Sequence, residues 1–230
     1  MKRTVTYILL LLLPLCAVAQ KRIVQNKPYI DYRRLHYGFF VGTHVQDMEL
    51  INTGVTENGE IWYADVAKYN PGFSVGVLAS LRLGNYLSFR VIPTMHFGQN
   101  NIIFREQNSA EKSTQPVKTT YIAVPLHIKC AAERFNNYRP YVTAGVSPMW
   151  NLTVEKGEQL LFKKFDFMIE VGAGCDFYLP FFKLIPELKF SFSPLNVLKT
   201  ERDDKPGAND MTGVVSKVMS KMITLSLYFE

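Results

Sequence analysis

The sequence predicts an all-β chain: an eight-stranded antiparallel transmembrane β-barrel of the outer-membrane type, with short periplasmic turns and longer extracellular loops. Three observations lead there. Beyond residue 34 no stretch of a dozen residues keeps a helical period, whereas apolar and polar residues alternate in run after run. Each run is about 10 residues long, the length a tilted strand needs to cross the hydrocarbon. The connections alternate between short and long, as turns and loops do on the two faces of such a barrel. Composition agrees, since 16 Phe and 12 Tyr with 20% charged residues lean towards β structure.

The runs follow in order. Tyr37, Phe39, Val41 and Val45 face one way, against Gly38, Phe40, Gly42 and His44. Phe73, Val75, Val77, Ala79, Leu81 and Leu83 oppose Ser74, Gly76, Ser80 and Arg82. Leu87, Phe89, Val91, Met95 and Phe97 oppose Ser88, Arg90, Thr94 and His96. Ile122, Val124, Leu126, Ile128 and Cys130 oppose Tyr121, His127 and Lys129. Val142, Val146, Trp150 and Leu152 oppose Thr143, Gly145 and Ser147. Ile169, Val171, Cys175 and Phe177 oppose Glu170, Gly172, Gly174 and Asp176. Leu188, Phe190 and Phe192 oppose Glu187, Lys189, Ser191 and Ser193. Ile223, Leu225, Leu227 and Phe229 oppose Thr224, Ser226 and Tyr228. The apolar face suits lipid, and the face of Gly, Ser and charges suits a crowded lumen. Short connections fall at residues 84–86, 131–138 and 179–182, and long ones at 47–70, 99–116, 153–164 and 194–217. Pro93, Pro125, Pro148 and Pro186 sit inside these runs without a donor for the ladder, so bulges or local gaps are expected there.

The domain reading is threefold. Residues 1–19 form a signal peptide: Met1, Lys2 and Arg3 are a basic start, and residues 7–15 are an apolar block too short to span a bilayer. Ala17-Val18-Ala19 then offers small residues for cleavage between Ala19 and Gln20. Residues 20–34 are a basic periplasmic arm, and residues 35–230 are the barrel. Loss of Lys2 and Arg3 takes the formal charge from +6 to +4, and residues 20–34 carry all of it. Lys21, Arg22, Lys27, Arg33 and Arg34 there are candidates for a periplasmic contact, and nothing in the neutral remainder suggests a nucleic-acid partner. Cys130 and Cys175 fall on outward positions of non-adjacent strands, which favours free apolar thiols over a disulfide.

The stretch "EVGAGCD" (residues 170–176) looks like a nucleotide cradle, but no helix start follows it, as such a cradle requires. As a strand it points Glu170, Gly172, Gly174 and Asp176 to one side. A four-residue turn at 179–182 then sets Tyr178 opposite Lys183, Gly174 opposite Glu187, Gly172 opposite Lys189 and Glu170 opposite Ser191. The glycines leave room for long charged side chains in a narrow lumen. Arg82, Arg90, His127, Lys129, Glu170, Asp176, Glu187 and Lys189 are read as a structural luminal charge network, with Arg90 opposite His127. His44 and His96 approach each other near the outer end, with Asp47 nearby, yet no nucleophile-and-base spacing or metal spacing stands out. No catalytic residue, cofactor or metal is assigned. Trp62, Tyr63, Tyr141, Trp150 and Tyr228 are candidates for aromatic girdles at the membrane interfaces.

Several blocks resemble the PorT family of outer-membrane β-barrel proteins: "YRRLHYGFFVG" (32–42), "LSFRVIPTMHFG" (87–98), "TYIAVPLHIKCAAERFNNYRPYVTAGV" (120–146), "EVGAGCDFYLPFFKLIPELKFS" and the ending "ITLSLYFE". The resemblance covers almost the whole chain after the signal. It implies an outer-membrane component required for protein secretion by the type IX secretion system, with other components of that machine and outer-membrane lipid or lipopolysaccharide as partners. It brings no catalytic residues, so the chain is not expected to be an enzyme. A filled, narrow barrel implies an accessory or assembly role and not the conducting pore. The alternatives are a generic small outer-membrane barrel (a small-solute pore or adhesin) and, behind it, a lipid-modifying barrel enzyme.

Overall fold

The computed structural model of the chain describes residues 24–52, 62–68, 70–106, 112–153, 163–198 and 215–230. The expected signal peptide with its Ala19–Gln20 cut, and Lys21 and Arg22, lie outside the described residues.

Alternation in the sequence becomes a closed antiparallel wall. The described strands are β1 (Leu35–Asn52), β2 (Trp62–Lys68), β3 (Pro71–Arg82), β4 (Leu87–Val91), β5 (Thr94–Glu106), β6 (Lys112–Ala123), β7 (Leu126–Ala131), β8 (Tyr138–Asn151), β9 (Phe165–Tyr178), β10 (Lys183–Phe192) and β11 (Val215–Phe229). They form a ring of eight, because β2 with β3, β4 with β5 and β7 with β6 each make one wall strand. Around it run β1, β3, β4/β5, β7/β6, β8, β9, β10 and β11. β11 closes the ring on β1, from Phe39 opposite Phe229 outward to Asn52 opposite Val215. Closure leaves the membrane no open edge, which a lipid-bound sheet requires because nothing in hydrocarbon can satisfy free peptide groups.

Pleat parity decides what each residue meets. Tyr37, Phe39, Phe73, Val77, Ile128, Val142, Leu188 and Ile223 are exposed on the outer surface, while Phe40, Ser74, Arg90, Thr143, Glu187 and Thr224 are buried inside. In water that outer surface would be a large apolar liability, and lipid turns it into the solvated side. At the closing seam Phe39 stacks on Phe229 with ring centroids 5.1 Å apart.

Two prolines interrupt the wall at one height. The pair Val91–Leu126 ends one stretch of ladder and Thr94–Ala123 begins the next. In the gap, Ile92 N–H donates to the Pro125 carbonyl at 3.0 Å and Val77 N–H to the Pro93 carbonyl at 3.1 Å. At Pro186 the β9–β10 pairing skips Ile185 and Pro186 and resumes at Glu187 with no change of register. Pro148 stays paired, opposite Phe167.

Two long connections hold more strand than alternation suggests. β2 continues β3 outward and pairs with β5 from Trp62–Glu106 to Lys68–Asn101, and β5 pairs on with β6 up to Arg105–Lys112. Residues 47–70 and 99–116 are therefore not simply loops. Above the bilayer no lipid demands one apolar face, so the pattern that marks the other strands is missing there.

The arm is not a free tail. Residues 24–34 fold back across the short turns, with a 3₁₀ turn at Ile30–Tyr32.

Candidate functional site: a filled lumen and a strapped mouth

β9 and β10 supply Glu170, Asp176 and Glu187 and two of the cations, Lys183 and Lys189. Their register sets Lys183 opposite Tyr178, Glu187 opposite Gly174, Lys189 opposite Gly172 and Ser191 opposite Glu170. β4 and β7 set Arg90 opposite His127. All of these side chains except the glycines point inward, and the charges among them are buried.

The charges sort into tiers along the axis. In the middle, Arg90 Nη1 donates to Glu187 Oε2 at 2.8 Å. The Tyr141 hydroxyl donates to the same oxygen at 2.5 Å and the Tyr228 hydroxyl to Glu187 Oε1 at 3.1 Å. The Arg90 guanidinium also lies 4.8 Å from the Tyr141 ring centre. On one side of this tier Glu170 Oε2 meets His127 Nε2 at 2.7 Å and Lys189 Nζ at 3.3 Å. Towards the periplasm Lys129 Nζ donates to both Asp176 oxygens at 2.6 Å, and Lys183 pairs with Glu230 and lies 3.9 Å from Asp176. Each buried ion of these tiers therefore has an opposite charge at hand, which is the condition for keeping ions out of water.

The outer half is packed differently. Ser74 Oγ stands between His44 Nδ1 (2.7 Å) and His96 Nδ1 (2.8 Å). Around and above them Tyr121, Ala123, Met149, Met168 and Met222 form a buried apolar cluster. Nearer the periplasm, Phe40, Leu78, Ile92, Ala131 and Ile185 pack around Tyr141 and Tyr228. Side chains thus fill this lumen, as an eight-stranded ring allows.

The periplasmic mouth is crossed by the arm. Asn26 N–H donates to Asn137 Oδ1 at 2.8 Å, and its side-chain amide donates to the Tyr178 carbonyl at 2.9 Å. Asp31 is the fixed point: Tyr178 donates to it at 2.6 Å, and Arg134 and Arg139 face it at 3.5 and 3.8 Å. Arg134 also donates to the carbonyls of Asn26 and Lys27, and its guanidinium lies 3.6 Å from the Tyr178 ring centre. Lys27 takes a left-handed φ of 48°. Such a backbone costs an L-residue about 1 kcal/mol, so the strap's bonds hold it in place. On the turn beside the strap, Tyr86 donates to Glu133 at 2.9 Å, which raises the phenol above its usual value and keeps it a donor.

Several expectations need correction. Arg82 does not join the luminal charges. It ends the inward row of β3 at the rim, donating to the Gly84 carbonyl at 2.9 Å and to Asn85 at 2.8 Å, beneath Tyr32. Asp47 is not near the paired histidines, because odd positions of β1 point outward. Tyr141 and Tyr228 are not girdle residues; they are buried inside, as their parity with Thr143 and Ser226 already indicates. Trp150 does face outward, stacked edge-on against Phe165; the side chains of Trp62 and Tyr63 lie outside the described ones. Of the arm's cations, Lys27 binds the Phe181 carbonyl, while Arg33 and Arg34 are exposed. Sequence reasoning missed Lys183 as a luminal cation, the buried Asp166 of β9, which accepts from the Ser193 hydroxyl, and the Asp31–Arg134–Arg139 cluster. The first two follow from parity, whereas the cluster joins residues more than a hundred positions apart.

The family model for the outer membrane protein beta-barrel domain matches residues 18–199. No curated protein sequence matches the chain. Among solved structures, it is similar to Neisserial surface protein A at 10% identity, over 85% of this chain and 98% of that one, with a TM-score of 0.43. It is also similar to OprG from Pseudomonas aeruginosa (12% identity, 85% and 92% covered, TM-score 0.44) and to AlkL in lipid bilayers (12%, 90% and 95%, 0.42).

Proposed function

The chain belongs to the outer membrane protein beta-barrel domain family, and from that premise we propose that it serves protein secretion through the type IX secretion system as an accessory or assembly component. It is not the conducting pore. The observation that carries the second half is the lumen: the Arg90–Glu187–Tyr141–Tyr228 tier and the methionine cluster occupy the axis that a passing chain would need. The resemblance of residues 32–42, 87–98 and 120–146 to the PorT family supports the first half. Its partners are lipid and lipopolysaccharide around the wall and other secretion components at its ends.

A deletion strain tests this reading. Loss of surface-exported proteases with their accumulation in the periplasm supports it, and normal export overturns it. Steady conductance of the purified barrel in planar bilayers would favour a small-solute pore instead. The protein is not an enzyme in this reading. Ser74 between two imidazoles resembles an activated nucleophile, but it is 0% exposed, so no lipid substrate reaches it. A change in lipid A mass on deletion would overturn that part.

A further inference from the structure

Beneath the strap lies a cavity of about 350 Å³, within the range of specific ligand sites. Asp31 and Tyr32 of the strap, Tyr86, Glu133 and Arg134 of the short turns, and Arg82 and Arg139 at the ends of β3 and β8 line it. We propose that this cavity, together with the basic strap, receives an extended acidic segment of a periplasmic polypeptide. The inference rests on the accessory role proposed above and names the chemistry of its partner.

Three observations carry it. Charge comes first. Lys27, Arg33, Arg34, Arg82, Arg134 and Arg139 crowd the surface of this end against the carboxylates of Asp31 and Glu133, while Glu230 is buried against Lys183. Arg33 and Arg34 are exposed and have no ion pair or side-chain hydrogen bond among the described residues. Rigidity comes second. The strap is fastened by Asn26, Asp31 and Arg134, so Tyr29 and Tyr32 are held 79% and 73% exposed on an ordered surface. Exposed tyrosines beside arginines on a preorganised surface are the composition of binding hot spots. Placement comes third. Arg82 and Arg139 end the inward-facing rows of β3 and β8, Arg139 directly opposite the buried Asp176. Inward-facing residues of the wall thus contribute to the lining of the cavity, which disfavours a headgroup tethered by acyl chains in the surrounding leaflet. Its mixed lining of guanidinium, carboxylate, amide and phenol also suits a peptide backbone, which offers donors and acceptors together.

The test uses the full-length exported protein, folded in phosphatidylcholine nanodiscs, with fluorescein-labelled hexaglutamate as probe and hexalysine as control. Hexaglutamate is expected to bind, with an affinity that falls as salt rises, and hexalysine is not. Tyr32→Ala, and separately Arg33→Glu with Arg34→Glu, should each weaken binding about ten-fold while the lipid-facing Tyr37→Ala leaves it unchanged. Heat-dependent gel mobility confirms that each variant is a folded barrel. Absence of hexaglutamate binding, equal binding by the strap variants, or displacement of the peptide by phosphatidylglycerol placed in the disc would each overturn the proposal. Because the readout is binding in vitro, its failure leaves the secretion role to be judged by the deletion strain alone.

Discussion

Tyr141 occupies the space that Gly174 leaves on the neighbouring strand. A Cβ built on Gly174 would lie 2.5 Å from the Tyr141 hydroxyl oxygen, the atom that donates to Glu187. The glycine is thus what lets a tyrosine from β8 reach the acid of β10 across β9. Gly174→Ala is expected to destabilise the barrel by about 1–3 kcal/mol, the usual cost of overpacking. Gly84→Ala, with nothing within 4 Å of its Cβ, is expected to be close to neutral by this measure. Urea unfolding of the two variants in matched lipid decides the comparison.

Glu187→Leu should be more damaging than its size suggests. Arg90 and Glu187 are both fully buried, and removing the acid strands a guanidinium inside the wall. Breaking one half of such a pair costs about 3–5 kcal/mol, whereas replacing both halves by apolar residues is often neutral. Arg90→Met together with Glu187→Leu is therefore expected to recover much of the loss. A double variant as unstable as the single one would show that the tyrosines, and not the pair, set the cost.

Asp31→Ala should release the strap without opening the barrel. The carboxylate accepts from Tyr178 and faces two guanidiniums, and these are side-chain contacts that no ladder hydrogen bond of the wall depends on. Loss of this half-buried charged hydrogen-bond partner, at about 1.5 kcal/mol, the low end for charged hydrogen bonds, would raise local opening of the segment about ten-fold. Limited trypsin digestion should then cut at Arg33 and Arg34 faster, with the heat-modifiable barrel band retained.

Cys130 and Cys175 are separated by β8 and both are free. Mobility on gels should be the same with and without reductant. A membrane-soluble maleimide should label the exposed Cys130 faster than the half-buried Cys175.

Parity carried most of what the sequence reveals. The β9–β10 register follows from the sequence, because a four-residue turn and a period of two leave no freedom once Gly172 and Gly174 are placed beside Lys189 and Glu187. Pro93 and Pro125 announced gaps, but not that the two gaps lie side by side, since that depends on how β4/β5 and β6/β7 are staggered. The strap was illegible for a different reason. Residues 24–34 have no period, and what orders them is Asn137, Tyr178 and Arg134, contributed from far along the chain. Arg82 shares the inward parity of Arg90, yet it sits one layer lower, where carbonyls of the turn take its donors. Parity gives the side of the wall and not the depth.

The pairing of β1 with β11 has a consequence for biogenesis. Without residues 215–229 the other wall strands would keep two unpaired edges, on β1 and β10, and Glu187 would lack its Tyr228 donor. A chain stalled before that point is not a smaller cylinder but an unsealed one, with its ionic interior turned towards solvent. The final strand acts as a zip, and completing it is also what turns the charged interior into a place inaccessible to water and lipid alike.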